Sequence, residues 1–362
     1  MGATIKDIAR QVGVSPSTVS RVLNGNAVIS EETKAKIRQA MKDLNYHPNS
    51  RARNFANGST DTIALVIDAA DEKTFSNSFF NRSVYAIEKT AQQYAYNLLI
   101  INDKGEHSSS ISTLVYEKKV DGLILPPSSV NEGLLKFLDR EEFPYVVLGE
   151  PAITSEQMTY VDIDNLQGSI DAVKHLKEKG YQRIALVIED DATVFSQKRI
   201  AGYLESMEVK DFDSAHTAIP GESADTSGRI IFVNDDYEQL EHQILNAIRE
   251  CGTDAFLCAS NEIAFHVLKI LRKEDIRVPK YAGIVTFDNF PLAEYMDPPL
   301  TVVDVDTYQL GQKAAEKLME KINKRNLPRS FLLHAQANNT DTEKKTLIRT
   351  TLIERGSSAG KE

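Results

Sequence analysis

The sequence predicts a small all-α domain followed by a two-lobed α/β domain with two doubly wound parallel sheets. Apolar residues recur at helical spacing through the first 46 residues. From Thr62 onward, short apolar runs alternate with amphipathic helical stretches, which is typical of βαβ units in parallel sheets. The length of 362 residues also exceeds that of one typical domain.

The first predicted helix begins after Thr4 and ends at Gly13. Thr4 is followed three residues later by Asp7, which resembles a capping box with an acid in place of the usual Glu or Gln. Glycine at a helix exit accepts the left-handed conformation that often ends a helix. The apolar face of this helix consists of Ile5, Ile8, Ala9 and Val12.

Two more helices follow in the first 46 residues. Ser15 and Pro16 suit the N-cap and first position of the second helix. The third begins at Ser30, with two acids in its first turn that favour the helix dipole. The predicted inner positions are Val19, Val22 and Leu23 in the second helix and Ile37, Met41 and Leu44 in the third, and the second helix leaves Ser17, Thr18 and Arg21 outward.

Residues 4–25, TIKDIARQVGVSPSTVSRVLNG, closely resemble the DNA-binding signature of LacI/GalR-type bacterial transcription regulators. Val12 stands where that family usually has alanine. Three short helices with a tight glycine turn between the first two form a helix-turn-helix arrangement. The alternative is a generic three-helix bundle with no role in DNA binding.

The resemblance implies that the second helix reads operator DNA. Arg21 would make a bidentate contact with guanine, and Ser17 and Pro16 would read neighbouring base edges. The residues better placed for phosphates are Thr4, Ser15, Thr18 and Asn24. Two such heads on one homodimer imply a pseudo-palindromic site.

Residues 47–60 are expected to form a hinge helix and linker. Pro48 can start a short helix, which would be only marginally stable alone and would order against a partner. In the family the matching segment enters the minor groove, where an apolar side chain wedges between base steps. Here that position is Phe55, with Asn49 and Arg53 also expected to contact DNA. Alternatively, Phe55 packs the linker onto the body.

The charge distribution separates the head from the rest of the chain. Residues 1–58 carry nine Lys/Arg and four Asp/Glu, a net charge of +5. The whole chain has a net charge of −10, so the remaining residues carry −15. A basic head on an acidic body is typical of a regulator with a separate sensing domain.

The body is predicted to contain two successive α/β lobes. In chain order, strands are predicted at 62–67, 97–101, 121–126, 145–149, 183–188, 229–234, 255–260 and 282–288, and helices at 84–94, 111–119, 132–141, 166–179, 196–207, 237–251 and 261–273. Residues 210–228 have neither period and are expected to form a surface loop. A ligand crevice is expected at the carboxyl ends of the strands, between the lobes.

Residues 161–187 and 277–303 resemble the periplasmic-binding-protein-like sensing domain of the same family. The resulting division is 1–46 for the head, 47–60 for the hinge, 61–355 for the effector-binding and dimerisation domain, and 356–362 for a flexible tail. The N-lobe is expected at about 61–162 and 292–326, and the C-lobe at about 163–291 and 327–355. Tetrameric family members carry a C-terminal leucine-rich helix, which the tail RGSSAGKE lacks, so a dimer is expected.

Five residues match effector-contacting positions of the family: Phe79, Phe80, Arg199, Asn261 and Asp288. Aromatic rings suit the C–H face of a sugar, whereas carboxylates, amides and arginine suit its hydroxyls. Asn261 replaces the usual aspartate, and Val305 stands where the family commonly has glutamine, so the identity of the effector cannot be copied from a known member.

Alternatives remain for several of these aromatic and charged residues. Asp288 could instead pair with Arg199 when the site is empty. One of Phe79 and Phe80 could pack inward while the other stacks on the ligand. Three further rings, those of Phe195, Phe265 and Phe287, are expected in the core rather than the pocket.

Enzyme and metal chemistry are not indicated. The sequence contains no GxSxG, HExxH, P-loop or GxGxxG motif, its two cysteines match no zinc spacing, and its seven histidines are scattered. No cofactor and no metal are therefore expected. No apolar run approaches the ~20 residues of a membrane helix and no secretory segment is present, so a cytoplasmic protein without a membrane partner is expected.

These observations predict a homodimeric transcription repressor that binds an operator and is controlled by a sugar or sugar phosphate. A global carbon-catabolite-type regulator controlled by a partner protein is the main alternative. A sugar-binding transport protein would share the body fold, but the basic head argues against it.

Overall fold

The computed structural model describes residues 3–23, 29–46, 59–67, 78–103, 109–189, 192–208, 230–233, 237–325 and 344–361. The chain divides into two compact units, Met1–Thr60 and Asp61–Glu362. Within the described ranges, no helix is both long and apolar enough to cross a membrane.

The first unit contains three helices, α1 (Ile5–Val12), α2 (Pro16–Leu23) and α3 (Glu31–Asp43). Gly13 ends α1 in the left-handed region, with φ of 74°. Ser30 caps α3 by accepting a hydrogen bond from the Thr33 N–H. The small core consists of Ile8, Ala9, Val19, Ile37 and Ala40. The helical spacing in the sequence therefore predicts these three helices and their inner faces correctly.

The second unit contains two six-stranded sheets, and the first of them is entirely parallel in the order β11–β5–β4–β3–β1–β2. Its strands are β1 (Thr62–Ile67), β2 (Asn97–Asn102), β3 (Gly122–Leu125), β4 (Tyr145–Leu148), β5 (Tyr160–Ile163) and β11 (Lys345–Ile348). The apolar strands β1, β3 and β4 are almost wholly buried because helices cover both faces of the sheet.

The second sheet has the order β12–β10–β9–β8–β6–β7, and only β12 runs antiparallel to its neighbour. Its strands are β6 (Ile184–Ile188), β7 (Ile230–Phe232), β8 (Ala255–Cys258), β9 (Gly283–Phe287), β10 (Thr301–Val305) and β12 (Thr350–Ile353). The predicted fold class, a helical head followed by two doubly wound sheets, is confirmed.

Helices alternate with the strands as expected for βαβ units. They are α4 (Ser78–Gln93), α5 (Ser109–Tyr116), α6 (Glu132–Arg140), α7 (Asn165–Glu178), α8 (Val194–Ser206), α9 (Tyr237–Cys251), α10 (Asn261–Lys273) and α11 (Thr307–Arg325). Helix α11 packs closely along α4, where a Cβ at Gly311 would overlap the Ser83 carbonyl oxygen. The first-lobe core therefore includes α11, although this helix is far away in sequence.

The predicted lobe boundaries require two corrections. Strand β10 lies within 292–326, which was assigned to the N-lobe, yet it pairs with β9 in the second sheet. Strand β11 lies within 327–355, which was assigned to the C-lobe, yet it pairs with β5 in the first sheet. An apolar run predicts a strand but does not identify its partner, because pairing depends on register and distant neighbours.

The expectation of a flexible tail at 356–362 is also wrong for its described part. Gly356–Ser358 form a 3₁₀ turn, and the side chains of Ser357 and Ser358 are fully buried. Ser357 Oγ accepts from the Thr301 N–H at 2.8 Å and donates to the Ile284 carbonyl at 2.6 Å. Small polar residues resemble a linker in sequence, but here they satisfy buried backbone groups of the second lobe.

Candidate functional site

The outer face of α2 presents short polar groups on a fixed frame. Ser15 caps this helix, because its Oγ accepts from the Thr18 N–H at 3.1 Å. The same Oγ lies 2.7 Å from Ser17 Oγ and 2.9 Å from Thr18 Oγ1. The side chains of Pro16 and Ser17 are exposed and Thr18 is half-buried. The hydroxyls are thus held by one another at the start of the helix.

Arg21 lies in the last turn of α2 and is exposed. Within the part of the chain that the structure describes, it forms no ion pair or hydrogen bond with the protein. By contrast, Arg10 lies 3.6 Å from Asp7, which also accepts hydrogen bonds from the Thr4 N–H and hydroxyl. Those hydrogen bonds, followed by the positive charge of Arg10, lower the pKa of Asp7. The guanidinium of Arg21 therefore remains available to an external acceptor.

Four of the predicted DNA contacts lie outside the described residues. They are Asn24 at the end of the recognition segment and Asn49, Arg53 and Phe55 in the hinge. The expected surface loop at 210–228 also lies outside them.

In the second lobe, Arg199 forms the centre of a cluster of polar and aromatic side chains, which we call the Arg199 pocket. It projects from α8, and only 6% of its surface is exposed. Its Nε donates to Asn165 Oδ1 at 2.9 Å and its Nη1 donates to the Ala259 carbonyl at 2.5 Å. Burial lowers the pKa of this guanidinium, whereas Asp288 and two further carboxylates oppose that shift.

Two aromatic rings lie close to the Arg199 guanidinium. Its Cζ lies 3.9 Å from the centroid of the Phe287 ring and 5.4 Å from that of Phe195. Cation–π contacts of this kind stabilise a buried charge that water no longer solvates. Phe287 is fully buried and Phe265 packs at the edge of the same core, as predicted. Phe287 also contacts the Arg199 guanidinium, so its predicted absence from the pocket is wrong. Phe195 is not core, because 43% of its surface is exposed.

Asp288 directly follows β9 and has φ of 69°, an uncommon left-handed conformation that aspartate tolerates better than most residues. Its Oδ1 is buried and has no hydrogen-bond partner among the described residues. Burial raises the pKa of Asp288, and the positive charge of Arg199 opposes that change. The alternative of a direct hydrogen-bonded pair is not observed, since the bonds of Arg199 go to Asn165 and Ala259.

Asn261 is the first residue of α10, at the carboxyl end of the neighbouring strand β8. Its Oδ1 is likewise buried without a partner in the described part of the chain. Ser260 satisfies the start of this helix by accepting from the Ile263 N–H at 3.4 Å. The Asn261 side chain is therefore not needed as a cap, and its Oδ1 accepts no hydrogen bond from the described residues.

The two effector contacts predicted in the first lobe are Phe79 and Phe80. Phe80 is half-buried and packs against the first-lobe core formed by the inner strands, α4 and α11. Phe79 lies in α4, and its side chain is outside the described set. The structure thus assembles Arg199, Asn261 and Asp288 on the second lobe, whereas Phe80 has a packing role in the first.

Three residues of this pocket are not predicted by the sequence as pocket residues: Phe195 is expected in the core, and Asn165 and Glu189 are not singled out. Phe195 precedes Arg199 by four positions, so both occupy one face of α8, and this spacing was the available signal. Asn165 begins α7 and orients Arg199, while Glu189 follows β6 and acts on Arg199 and Asp288 through its charge. Their proximity depends on the arrangement of strands, which a single sequence does not show.

Two family profiles match the chain. The profile described as "Bacterial regulatory proteins, lacI family" covers residues 4–49, and the "Periplasmic binding protein-like domain" covers residues 173–358. Among the described residues, no group of three or more His, Cys, Asp or Glu side chains could hold a metal ion.

The chain is similar to transcriptional regulators over nearly the whole length of both chains. The HTH-type transcriptional regulator MalR of Streptococcus pneumoniae is 31% identical over 330 residues, covering 89% of this chain and 94% of MalR. A structure of a transcriptional regulator CelR–cellobiose complex is 27% identical, with a TM-score of 0.65 over 98% of this chain and 99% of CelR.

A third comparison extends the fold over the head and the body together. The lac repressor dimer bound to operator and the anti-inducer ONPF has a TM-score of 0.72 at 22% identity, covering 99% of both chains. Such matches are to transcriptional regulators rather than enzymes. The chain belongs to the lacI family of bacterial transcriptional regulators.

Proposed function

We propose that this chain is a repressor that binds a pseudo-palindromic operator as a homodimer and responds to a small effector. The observation that carries the DNA-binding part is the outer face of α2, where exposed Arg21 has no partner among the described residues of the protein. A rigid helix with a free guanidinium at its outer face suits a bidentate contact with guanine in the major groove.

The other head residues would position this helix rather than read sequence. Hydroxyl side chains lie at the helix starts, where backbone N–H groups and the helix dipole favour a phosphate. They belong to Thr4, Ser15 and Thr18. Ser17 and Pro16 are exposed beside them and would touch base edges. Asn24, Asn49 and Arg53 are proposed as DNA contacts from the sequence, and Phe55 as the minor-groove wedge.

The dimer is supported by the lac repressor neighbour, which is a dimer on its operator. It is also supported by large apolar side chains that the body leaves exposed. Leu99 and Ile100 lie on β2, the edge strand of the first sheet, and Leu292 and Tyr295 lie in the second lobe. These side chains lie in two separate places, and an exposed edge strand such as β2 can pair or pack with a second chain.

A sugar-type effector is supported by the pocket around Arg199. Buried acceptors on Asp288 and Asn261 suit hydroxyl donors, and the rings of Phe195 and Phe287 flank the cation between them. The CelR relative was solved with cellobiose. Phe79 and Phe80 are proposed as the first-lobe side of this pocket.

The test is a selection of genomic DNA fragments by the purified full-length chain, followed by footprinting and titration of the enriched site. We expect a pseudo-palindromic footprint. Arg21→Ala should weaken binding to it by about 1–3 kcal/mol and relax base preference at one position per half-site. Lys36→Ala removes an exposed charge that is already paired with Glu32 and serves as the control.

A second variant tests the hinge in the same titration. Phe55→Ala should weaken operator binding strongly and leave effector binding unchanged, because the wedge acts on DNA alone. Enrichment of no sequence, or equal affinity of wild type and Arg21→Ala, would contradict the proposed reading role of α2.

A further inference from the structure

We propose that Lys321 is a modification site whose side-chain amine accepts an acyl group from a small acyl phosphate. Lys321 lies near the C-terminal end of α11, a helix of the first-lobe core, whereas the Arg199 pocket lies in the second lobe. The inference does not depend on the proposed function. Three features support it: an amine without an ion pair, a buried aromatic ring beneath that amine, and neighbouring cations.

The Lys321 amine is held by one hydrogen bond, in which Nζ donates to the Gln157 carbonyl at 2.6 Å. It forms no ion pair with another residue that the structure describes. The two preceding lysines of α11, Lys313 and Lys317, lie 2.7 and 3.4 Å from glutamates of the same helix. A carboxylate partner favours the charged ammonium, so an amine without one loses its proton more readily. The neutral Lys321 amine can keep its bond to Gln157 and still present a lone pair.

The Tyr145 ring lies beneath this amine, with 5.2 Å between Lys321 Nζ and the ring centroid. Tyr145 is almost fully buried at the start of β4, and burial raises the pKa of its hydroxyl, which therefore stays neutral. That hydroxyl donates to Asp139 Oδ1 at 3.0 Å and lies 3.0 Å from Ser155 Oγ. The carboxylate of Asp139 is thus engaged by a hydroxyl and lies beyond ion-pair distance of Lys321.

Like charges also surround the amine. Burial lowers the pKa of Lys321 to about 8; the charge of Asp139 opposes this change, and the charges of Lys324 and Lys344 contribute to it. Roughly a tenth of such an amine is neutral at pH 7, against roughly 0.04% at the ordinary lysine pKa of about 10.4. A lysine that is desolvated or lies beside another cation is an activated nucleophile. The same cations would attract a donor that carries a phosphate group.

The acyl transfer needs no reactant other than the acyl phosphate. The neutral amine attacks the acyl carbon, an N–C bond forms, and the C–O bond to phosphate breaks. The phosphate leaves with that electron pair, and the amine releases one proton to water. The product amide keeps one N–H for the Gln157 carbonyl but carries no charge, which removes the repulsion from Lys324 and Lys344. Because Lys321 is half-buried, a small donor suits it.

The test incubates the native full-length protein with acetyl phosphate and follows each lysine by quantitative peptide mass spectrometry. At pH 7.5 we expect the initial rate of acetylation at Lys321 to exceed that at Lys324 by at least about 10-fold. Lys324 is the matched comparison, because it is exposed on the same helix and meets the same local donor concentration. The rate at Lys321 should level off above a pH of about 8, where the amine becomes neutral.

Two outcomes of this experiment would overturn the inference. One is an equal rate of acetylation at Lys321 and Lys324 in the native protein. The other is a rate at Lys321 that still climbs about 10-fold per pH unit above pH 9, as expected of an ordinary lysine.

Variants show whether the surroundings of Lys321 set its reactivity. Asp139→Asn removes the charge that favours the ammonium and should raise the rate at Lys321 by about 3-fold at pH 7.5. Lys344→Gln removes a like charge and should lower that rate by about 3-fold. Lys136→Gln, an exposed change at an ion pair with Glu132, is the control and should leave the rate unchanged. The same rate in all three variants contradicts the assigned role of the neighbouring charges.

Unfolding separates the effect of the fold from that of the local sequence. In guanidinium chloride, Lys321 and Lys324 should react at rates within about 2-fold of each other, since burial and the charges brought close by folding are lost. A Lys321 that remains 10-fold faster in the unfolded chain, on the order of its native advantage, owes its reactivity to sequence and contradicts the inference.

Discussion

At the residue scale, the proposed effector function depends on a few side chains whose polar atoms have no partner among the described residues. Asp288 combines a left-handed backbone, a buried unpaired oxygen and a raised pKa. Each of these features costs folding free energy, and strain of this kind concentrates at binding sites. By contrast, the buried charge of Arg199 is compensated by two hydrogen-bond acceptors and two nearby aromatic rings.

Asp288→Asn is expected to stabilise the protein and to weaken effector binding. The raised pKa of Asp288 means that the folded chain retains this proton to higher pH than the unfolded chain, so stability falls as pH rises through that interval. Asparagine is neutral and also tolerates φ of 69°. Thermal unfolding at pH 7 should show a melting temperature about 2 °C above wild type.

The dependence on pH separates the two causes of this stabilisation. A backbone preference of asparagine persists at every pH, whereas the charge contribution disappears near pH 4, where the unfolded aspartate is itself about half protonated. A stability difference that does not shrink between neutral and acidic pH would contradict the assigned role of the Asp288 charge. Asp304→Asn, on the adjacent strand, provides a comparison at a less buried carboxylate.

Much of the candidate site was accessible to sequence reasoning at this scale, but only through resemblance. Arg199, Asn261 and Asp288 match positions in family motifs, and the structure brings them together. Asn165 and Glu189 could not be predicted, because their role depends on which strands are neighbours. Phe195 was misassigned because a phenylalanine in an amphipathic helix usually packs in the core.

At the element scale, the second-lobe pocket is built by helix starts that follow parallel strands. Thr193 caps α8 and accepts from the Ser196 N–H, which fixes the turn that carries Phe195 and Arg199. Ser260 caps α10 in the same way directly before Asn261. These capped turns lie at the carboxyl ends of the strands, where parallel α/β sheets bind their ligands.

The C-terminal turn is an element that stabilises the second lobe. Its Ser357 hydroxyl pairs two buried backbone groups, the Thr301 N–H and the Ile284 carbonyl. Ser358 Oγ donates to Thr301 Oγ1 at 2.7 Å and lies 2.7 Å from His175 Nε2. Burial lowers the pKa of His175, which favours the neutral imidazole in this network.

Ser357→Ala should therefore lower the free energy of unfolding by about 1–3 kcal/mol, because it leaves both backbone groups unpaired in the core. Denaturant titration followed by circular dichroism measures this loss. Ala359→Ser, an exposed change two residues further along the chain, is the control and should be neutral. Equal stability of Ser357→Ala and wild type would show that the turn is dispensable.

Sequence periodicity predicts most elements but not their pairing. Apolar runs locate β1 to β4 and β6 to β9, and helical spacing locates α4 to α10, because each pattern reflects one element and its burial. Strand β5 and helix α11 were not predicted. The exchange of β10 and β11 between the sheets was missed, since both are short strands in segments that cross between lobes. The buried C-terminal turn was missed because serine and glycine also characterise linkers.

At the scale of the whole molecule, charge separates the DNA-reading unit from the sensing unit. The first 58 residues carry +5 and the rest carry −15. Repulsion between DNA and the acidic body would favour encounters through the basic head, with an effect that salt reduces. An ion pair also links the two lobes of the body. Lys198 on α8 lies 3.7 Å from Glu150, which follows β4 in the chain.

In the proposed function, effector binding acts on operator affinity through the body. The proposed ligand of Arg199 would bind on α8, which also carries Lys198, the partner of Glu150 at 3.7 Å. A ligand changes operator affinity only if it binds two states of the body unequally. Coupling between sites is typically about 1–3 kcal/mol, or roughly 5- to 150-fold in affinity.

The most direct test of the account is operator affinity measured by fluorescence anisotropy with and without a saturating neutral sugar that the protein binds. We expect the sugar to change operator affinity at least about 5-fold. Arg199→Met should abolish that change while leaving sugar-free operator affinity intact. Operator affinity that stays constant while the same protein is saturated with sugar would contradict the claim that the pocket controls the head.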